Sequence, residues 1–160
     1  MLAVSPAEIW MGLKNSDDVG VKFDFLAEAY IGNDLITSGQ LDSAPGGSSG
    51  FGNAKLNTIA FDPFSTVNIS QNAELKIKLY VRNACVGSGH NSGVARLWYN
   101  DSAASSRFDA TADANNSDYY LLDSFLLSTS PGSGPKQKVD VQSGAKCSPF
   151  KPFGTWSTTL

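Results

Sequence analysis

Residues 74–82 read ELKIKLYVR, in which Leu75, Ile77, Leu79 and Val81 alternate without a break with Glu74, Lys76, Lys78, Tyr80 and Arg82. A period of two is the mark of a β-strand with one dry face and one wet face. The stretch 21–31 repeats the pattern, with Val21, Phe23, Phe25, Ala27, Ala29 and Ile31 on one side and Lys22, Asp24, Leu26, Glu28 and Tyr30 on the other. Two half-apolar strands of this kind must share a core.

Working outward, Glu8–Lys14 predicts a short strand with Ile9, Met11 and Leu13 opposite Trp10, and NSDDVG (15–20) predicts its turn. Gly32, Asn33 and Asp34 close the 21–31 strand, and Leu35–Leu41 returns as its antiparallel partner. DSAPGGSSGFGNA (42–54) is a long surface loop with one aromatic, Phe51. Lys55–Phe61 is a further strand, and Thr66–Ile69 a short one. ACVGSGHNSG (84–93) is a second Gly/Ser-rich loop, after which Val94–Asn100 is expected to return beside ELKIKLYVR as a hairpin. Residues 101–118 are an irregular excursion with one short strand around Phe108, and strand character resumes at Tyr119–Ser128 and Lys136–Val141. The tail 142–160 is rich in aromatics and is expected to pack across one end of the molecule.

About eight strands punctuated by turn residues, in 160 residues with only three glutamates, predict one all-β domain over 1–160. The expected architecture is an antiparallel two-sheet β-sandwich, jelly-roll or immunoglobulin-like, with little or no helix. A net charge of −3 and no basic run argue against nucleic acid as a partner. No apolar run approaches the roughly 20 residues that cross a bilayer, so no membrane insertion is expected. The opening MLAVSPAEIW lacks the charged start and long apolar centre of a signal peptide. Cys85 and Cys147 both sit in loop-like surroundings and read as one disulfide, which points to an extracellular or cell-surface setting.

Chemistry-bearing residues are few. The chain has one histidine, His90, and no nucleophile-elbow motif, so a hydrolytic triad is not expected and the chain reads as a non-enzyme. Tyr80 and Trp98 both fall on wet faces, and the expected hairpin would stand them side by side near Arg96, with His90 and Asn91 bordering them. Flat rings beside polar donors suit the stacking of a sugar ring, so a glycan is the expected ligand. No cofactor is certain, but calcium is a candidate because Asp17 and Asp18 place hard oxygen donors in one turn, with Asp101, Asp109 and Asp113 as further donors. The rival expectation is a structural subunit of a surface layer, stalk or fibre that packs against copies of itself or other surface proteins. Asn68, Asn100 and Asn115 open N-x-S triplets, as expected by chance in so Asn- and Ser-rich a chain.

The runs GSGHNSGVARLWYNDSAASSRF (87–108) and KCSPFKPFGTWSTTL (146–160) resemble β-rich domains of large secreted bacterial surface proteins. The ARLWYND and SRF elements are similar to the final strands of non-catalytic accessory modules in such proteins. The resemblance implies a β-rich fold and an extracellular setting, and no functional residue.

Overall fold

The computed structural model describes residues 2–70, 72–99, 110–112, 125–126 and 137–159. Eleven strands run through them: β1 (Leu2–Val4), β2 (Ala7–Leu13), β3 (Lys22–Ile31), β4 (Asp34–Pro45), β5 (Lys55–Ile59), β6 (Glu74–Asn83), β7 (Val94–Tyr99), β8 (Ala110–Ala112), β9 (Phe125–Leu126), β10 (Gln137–Gln142) and β11 (Lys151–Thr159). One sheet has the order β10-β7-β2-β5, the other β4-β3-β6-β11-β9, and β1 pairs β8 in a small ribbon. All the pairings are antiparallel. Helix among the described residues is confined to two 3-10 turns, Ser16–Asp18 and Phe51–Asn53.

The core lies where the alternation places it. Leu75, Ile77, Leu79 and Val81 of β6 and Phe23, Phe25, Ala27 and Ala29 of β3 are buried against Ile9, Met11 and Leu13 of β2 and Ala95 and Leu97 of β7. This is the β-sandwich expected from the pattern, with one face of each sheet dry.

The expected hairpin between 74–82 and 94–100 does not form. β6 pairs β3 and β11, whereas β7 pairs β2 and β10 in the opposite sheet. The loop 84–93 arches over the end of the sandwich, because its backbone is claimed by both layers: Ala84 N–H donates to Lys22 O at 3.0 Å, Gly89 N–H to Gly20 O at 3.1 Å, and Ser143 N–H to Gly93 O at 2.9 Å. Apart from the β3–β4 hairpin, every connection from β2 to β7 crosses from one sheet to the other.

The C-terminal segment is likewise a sheet strand and not a strap across one end. Residues 151–159 line up beside β6, from Lys151 opposite Val81 to Thr159 opposite Glu74. Strict alternation would send Phe153 and Trp156 to opposite faces. A register shift between Pro152 and Gly154 inserts one residue, and both rings enter the core. Thr66–Ile69 forms no strand, β1 is a strand the sequence pattern did not show, and β4 runs on to Pro45, four residues past its expected end. The excursion 101–118 and the strand 119–128 lie outside the described residues except for Ala110–Ala112 and Phe125–Leu126.

The open side of β4 is covered by the chain that leaves β5. Asp62 N–H donates to Ser38 O at 2.8 Å, and Thr37 Oγ1 donates to Asp62 O at 2.7 Å. This crossing needs a missing side chain at Gly39, where a methyl carbon would lie 2.8 Å from the Ala60 carbonyl carbon and 3.1 Å from Phe61 Cα. Backbone cannot retreat as a flexible side chain can. Gly39→Ala is therefore expected to destabilise the fold by about 1–3 kcal/mol or more in urea melts. Leu79→Ala, which empties a central core position, is expected to cost about 2–5 kcal/mol, and Lys78→Ala, on the outer face, less than about 1 kcal/mol.

Candidate binding face

Each sheet has an outward face, and the two are built differently. On β3 and β6 the outward residues are Glu28 opposite Lys78 and Leu26 opposite Tyr80, with Pro152 of β11 on the far side of Tyr80. These groups are engaged with one another. Tyr30 Oη donates to Glu28 Oε2 at 2.7 Å, Lys78 Nζ lies 4.1 Å from the centre of the Tyr30 ring, and Lys76 pairs with Glu74 at 3.0 Å. Burial, then the charge of Glu28 and a hydrogen bond to it, with Tyr30 adding its own field, push the Tyr80 phenol up to about 12.

The face of the other sheet carries an apolar row across three of its four strands. Cross-strand register sets Lys138 of β10 opposite Trp98 of β7, Trp98 opposite Trp10 of β2, and Trp10 opposite Leu56 of β5. A wet face ordinarily presents polar residues, yet three of these four positions are large and apolar. Leu56 is 47% exposed, Trp10 is half-buried and Trp98 is 8% exposed. Trp98 is covered by Phe51, whose ring meets it edge-on at 5.3 Å and 87°. The 42–54 loop can reach this far because Gly12 lies flush in β2, where a methyl carbon would come 3.3 Å from Ser48 O. Leu13 N–H donates to that same oxygen at 3.2 Å and fixes the loop on the sheet.

Beside the row, Arg96 grips Asp140 with two hydrogen bonds, Nε to Oδ1 at 2.6 Å and Nη2 to Oδ2 at 2.9 Å. The guanidinium also lies 5.5 Å from the Trp98 ring. Burial alone would raise the Asp140 carboxyl, but hydrogen bonding and charge from Arg96, with Lys138 and Lys14 behind it, hold it below the usual aspartate range. At the other end of the row, Glu8 stands two residues before Trp10 on the same face, opposite exposed Thr58.

The sequence-predicted site residues are thus divided. Trp98 and Arg96 meet on the four-stranded sheet, but Tyr80 is on the outer face of the five-stranded sheet, so the side-by-side placement of Tyr80 and Trp98 is corrected along with the hairpin that implied it. His90 is half-buried and Asn91 exposed in the loop at the end of the sandwich. The His90 carbonyl accepts from Asn83 Nδ2 at 3.0 Å and Ser88 Oγ at 3.1 Å, so this residue ties its own loop together through its backbone. Asp17 and Asp18 belong to the first 3-10 turn, and Asp18 Oδ2 accepts from Val94 N–H at 3.2 Å, which joins that turn to β7. Among the described residues no three His, Cys, Asp or Glu side chains converge as a metal site would require, and Asp101, Asp109 and Asp113 lie outside them. Trp10 is the residue that sequence reasoning passed over. It was visible as the one outward ring on a strand whose other side is fully apolar, and only its neighbours across the sheet give it significance.

The disulfide Cys85–Cys147 is formed as expected and spans 62 positions of sequence. Such a bridge is characteristic of oxidising compartments, and in the chain-entropy model it contributes roughly 4 kcal/mol. No helix among the described residues is long and apolar enough to cross a membrane.

The raised Tyr80 pKa means that the fold favours the protonated phenol. The stability it supplies is complete below the ordinary tyrosine value of about 10 and drains away as pH rises through about 12. Ultraviolet titration of the phenolate band is expected to show Tyr80 titrating late, with Tyr30 also above the ordinary tyrosine value because it donates to Glu28, and Glu28→Gln is expected to bring both midpoints down, since the Glu28 carboxylate supplies charge and hydrogen bond to each.

Compared with known proteins, the chain matches no protein-family model, no curated protein sequence and no solved structure. Its function has to be read from the chemistry of the face itself.

Proposed function

We propose that this chain is an extracellular, non-catalytic binding module that holds a carbohydrate against the outward face of its four-stranded sheet, with Trp10 as the stacking ring. The observation that carries the reading is the row Leu56–Trp10–Trp98, in register across three strands and flanked by Glu8, Arg96–Asp140 and Lys138. An indole plane offers the C–H face of a sugar a dispersion surface, and the charged groups beside it supply hydrogen bonds to hydroxyls. Trp98 lies against Phe51 and beside Trp10 on the neighbouring strand, and a sheet keeps this arrangement rigid without added ordering cost.

The non-catalytic part of the reading rests on the scarcity of catalytic groups, one histidine and no nucleophile-elbow motif in the sequence. The disulfide supports the extracellular setting. A second reading, a structural subunit that packs on copies of itself, is favoured by one feature: Leu56 is 47% exposed on β5, one of the two outer described strands of its sheet.

Trp10→Ala is expected to abolish binding on a glycan array, while Tyr80→Ala, on the opposite face, leaves binding intact. Thermal melts should show both variants folded. A parent protein that binds no glycan and dimerises with concentration in light scattering would replace the carbohydrate reading by the structural one.

A further inference from the structure

The β7–β10 end of the proposed binding face carries more positive charge than its ion pair answers. Among the described residues, Asp140 is the one carboxylate there, and Arg96 commits both Nε and Nη2 to it, at 2.6 and 2.9 Å. Lys138 Nζ stays 3.9 Å from Asp140 Oδ2, too far for a hydrogen bond, and its side chain is 43% exposed. Lys14, on the same side of β2 as Trp10 and Gly12, is exposed, and its charge reaches the same carboxylate. Three cations thus surround one anion. Two of them, Lys138 and Lys14, keep ammonium donors for something outside the protein. Lys138 is also in line with the aromatic row, since it stands opposite Trp98, which stands opposite Trp10. Two strand spacings, about 10 Å, separate it from Trp10. An oligosaccharide lying along the row with one ring on Trp10 therefore brings the substituents of a neighbouring ring toward Lys138.

We infer, resting on the carbohydrate reading above, that this face takes acidic saccharides: while one ring stacks on Trp10, a carboxylate or sulfate on the neighbouring sugar is held by the Lys138 ammonium, in a positive field to which Lys14 adds. An ammonium donating to an anionic oxygen makes a charge-assisted hydrogen bond, stronger than the bond it makes to a hydroxyl. Lys14 lies beyond Gly12 on β2, away from the row, and acts through its field and not by contact. A neutral sugar meets the same ring and the same ammonium but leaves the surplus charge unanswered. The preference is therefore electrostatic, and salt screens it while leaving the neutral ligand nearly untouched.

The test titrates matched hexamers of glucose, mannose and galactose into the intact protein by calorimetry, each in a neutral form, a form oxidised to the uronate at C6 and a form sulfated at O6. For whichever backbone binds, an acidic form is expected to bind at least about tenfold more tightly than the neutral one, a gap that narrows in high salt. The tighter of the two acidic forms tells carboxylate from sulfate. Lys138→Gln, folded by its melting curve, is expected to remove most of the gap by weakening the acidic form alone, and Lys14→Gln a smaller part of it. Lys76→Gln, on the outer face of the opposite sheet, is expected to leave the gap unchanged. A neutral form that binds as tightly as both acidic ones, or a gap that Lys138→Gln leaves intact, overturns the role of the cations and leaves the carbohydrate reading standing. Acidic binding that persists in Trp10→Ala is attraction of charge alone and overturns the stacking on which the inference rests. Binding of no form on any backbone removes the inference together with that reading.

Discussion

The carboxylate of Asp24 is the joint on which the end of this sandwich depends. Alternation puts Asp24 on the outward side of β3, yet it is only 2% exposed, and both of its oxygens are occupied. Oδ1 accepts the Ser43 N–H at 2.9 Å, and Oδ2 accepts Arg82 Nε at 2.9 Å and the Cys85 N–H at 3.3 Å. The first bond holds a bulge in β4, where Asp42 and Ser43 together face Asp24 and Ser43 takes a left-handed φ of 56°. The second and third fix the end of β6 and the first residue of the disulfide loop. Arg82 in turn lies 4.3 Å from the Phe150 ring, just before β11 begins. One buried anion therefore sets the position of β4, β6, the Cys85 bridge and the entry to β11. A buried carboxylate is tolerable only when so fully partnered, since its desolvation is otherwise unrecovered.

What could be read in advance follows from which forces are local. The dry faces of β2, β3, β6 and β7 were legible because alternation is a property of each strand alone. Pairing is a property of two strands, and nothing in ELKIKLYVR or VARLWY says whether the pair lies edge to edge or face to face across the core. Sequence nearness favoured the hairpin, and the competing loop bonds to Lys22, Gly20 and Ser143 favoured the arch. β11 was hidden for a different reason. Its bulge breaks the period of two, so Phe153 and Trp156 read as the aromatics of a tail packed across one end until the extra residue is placed.

The same division governs the candidate face. The outward direction of Trp98 was legible, but not its burial, which depends on Phe51 reaching it from a loop more than forty residues earlier and on the absence of a side chain at Gly12. The two outer faces also show why direction alone does not identify a site. Around Tyr80 and Tyr30 the charges are spent on one another, giving a surface whose groups are already satisfied. Around Trp10 the row is apolar from β7 to β5 and its charges stand at the two ends.

The crossing connections carry a consequence for how the chain reaches this state. Nearly every strand finds its partners far away in sequence: Glu74 of β6 stands opposite Thr159, and Leu13 of β2 opposite Ala95. Contacts of such separation must meet their loop-closure entropy before they stabilise anything, and domains dominated by them fold in milliseconds to seconds. β6, the central strand of the five-stranded sheet, has an unsatisfied edge until residues 151–159 have been synthesised and have found it. A chain emerging slowly during synthesis thus stays open along that edge until β11 arrives, and the Cys85–Cys147 bond can then lock the order of events into a closed sandwich.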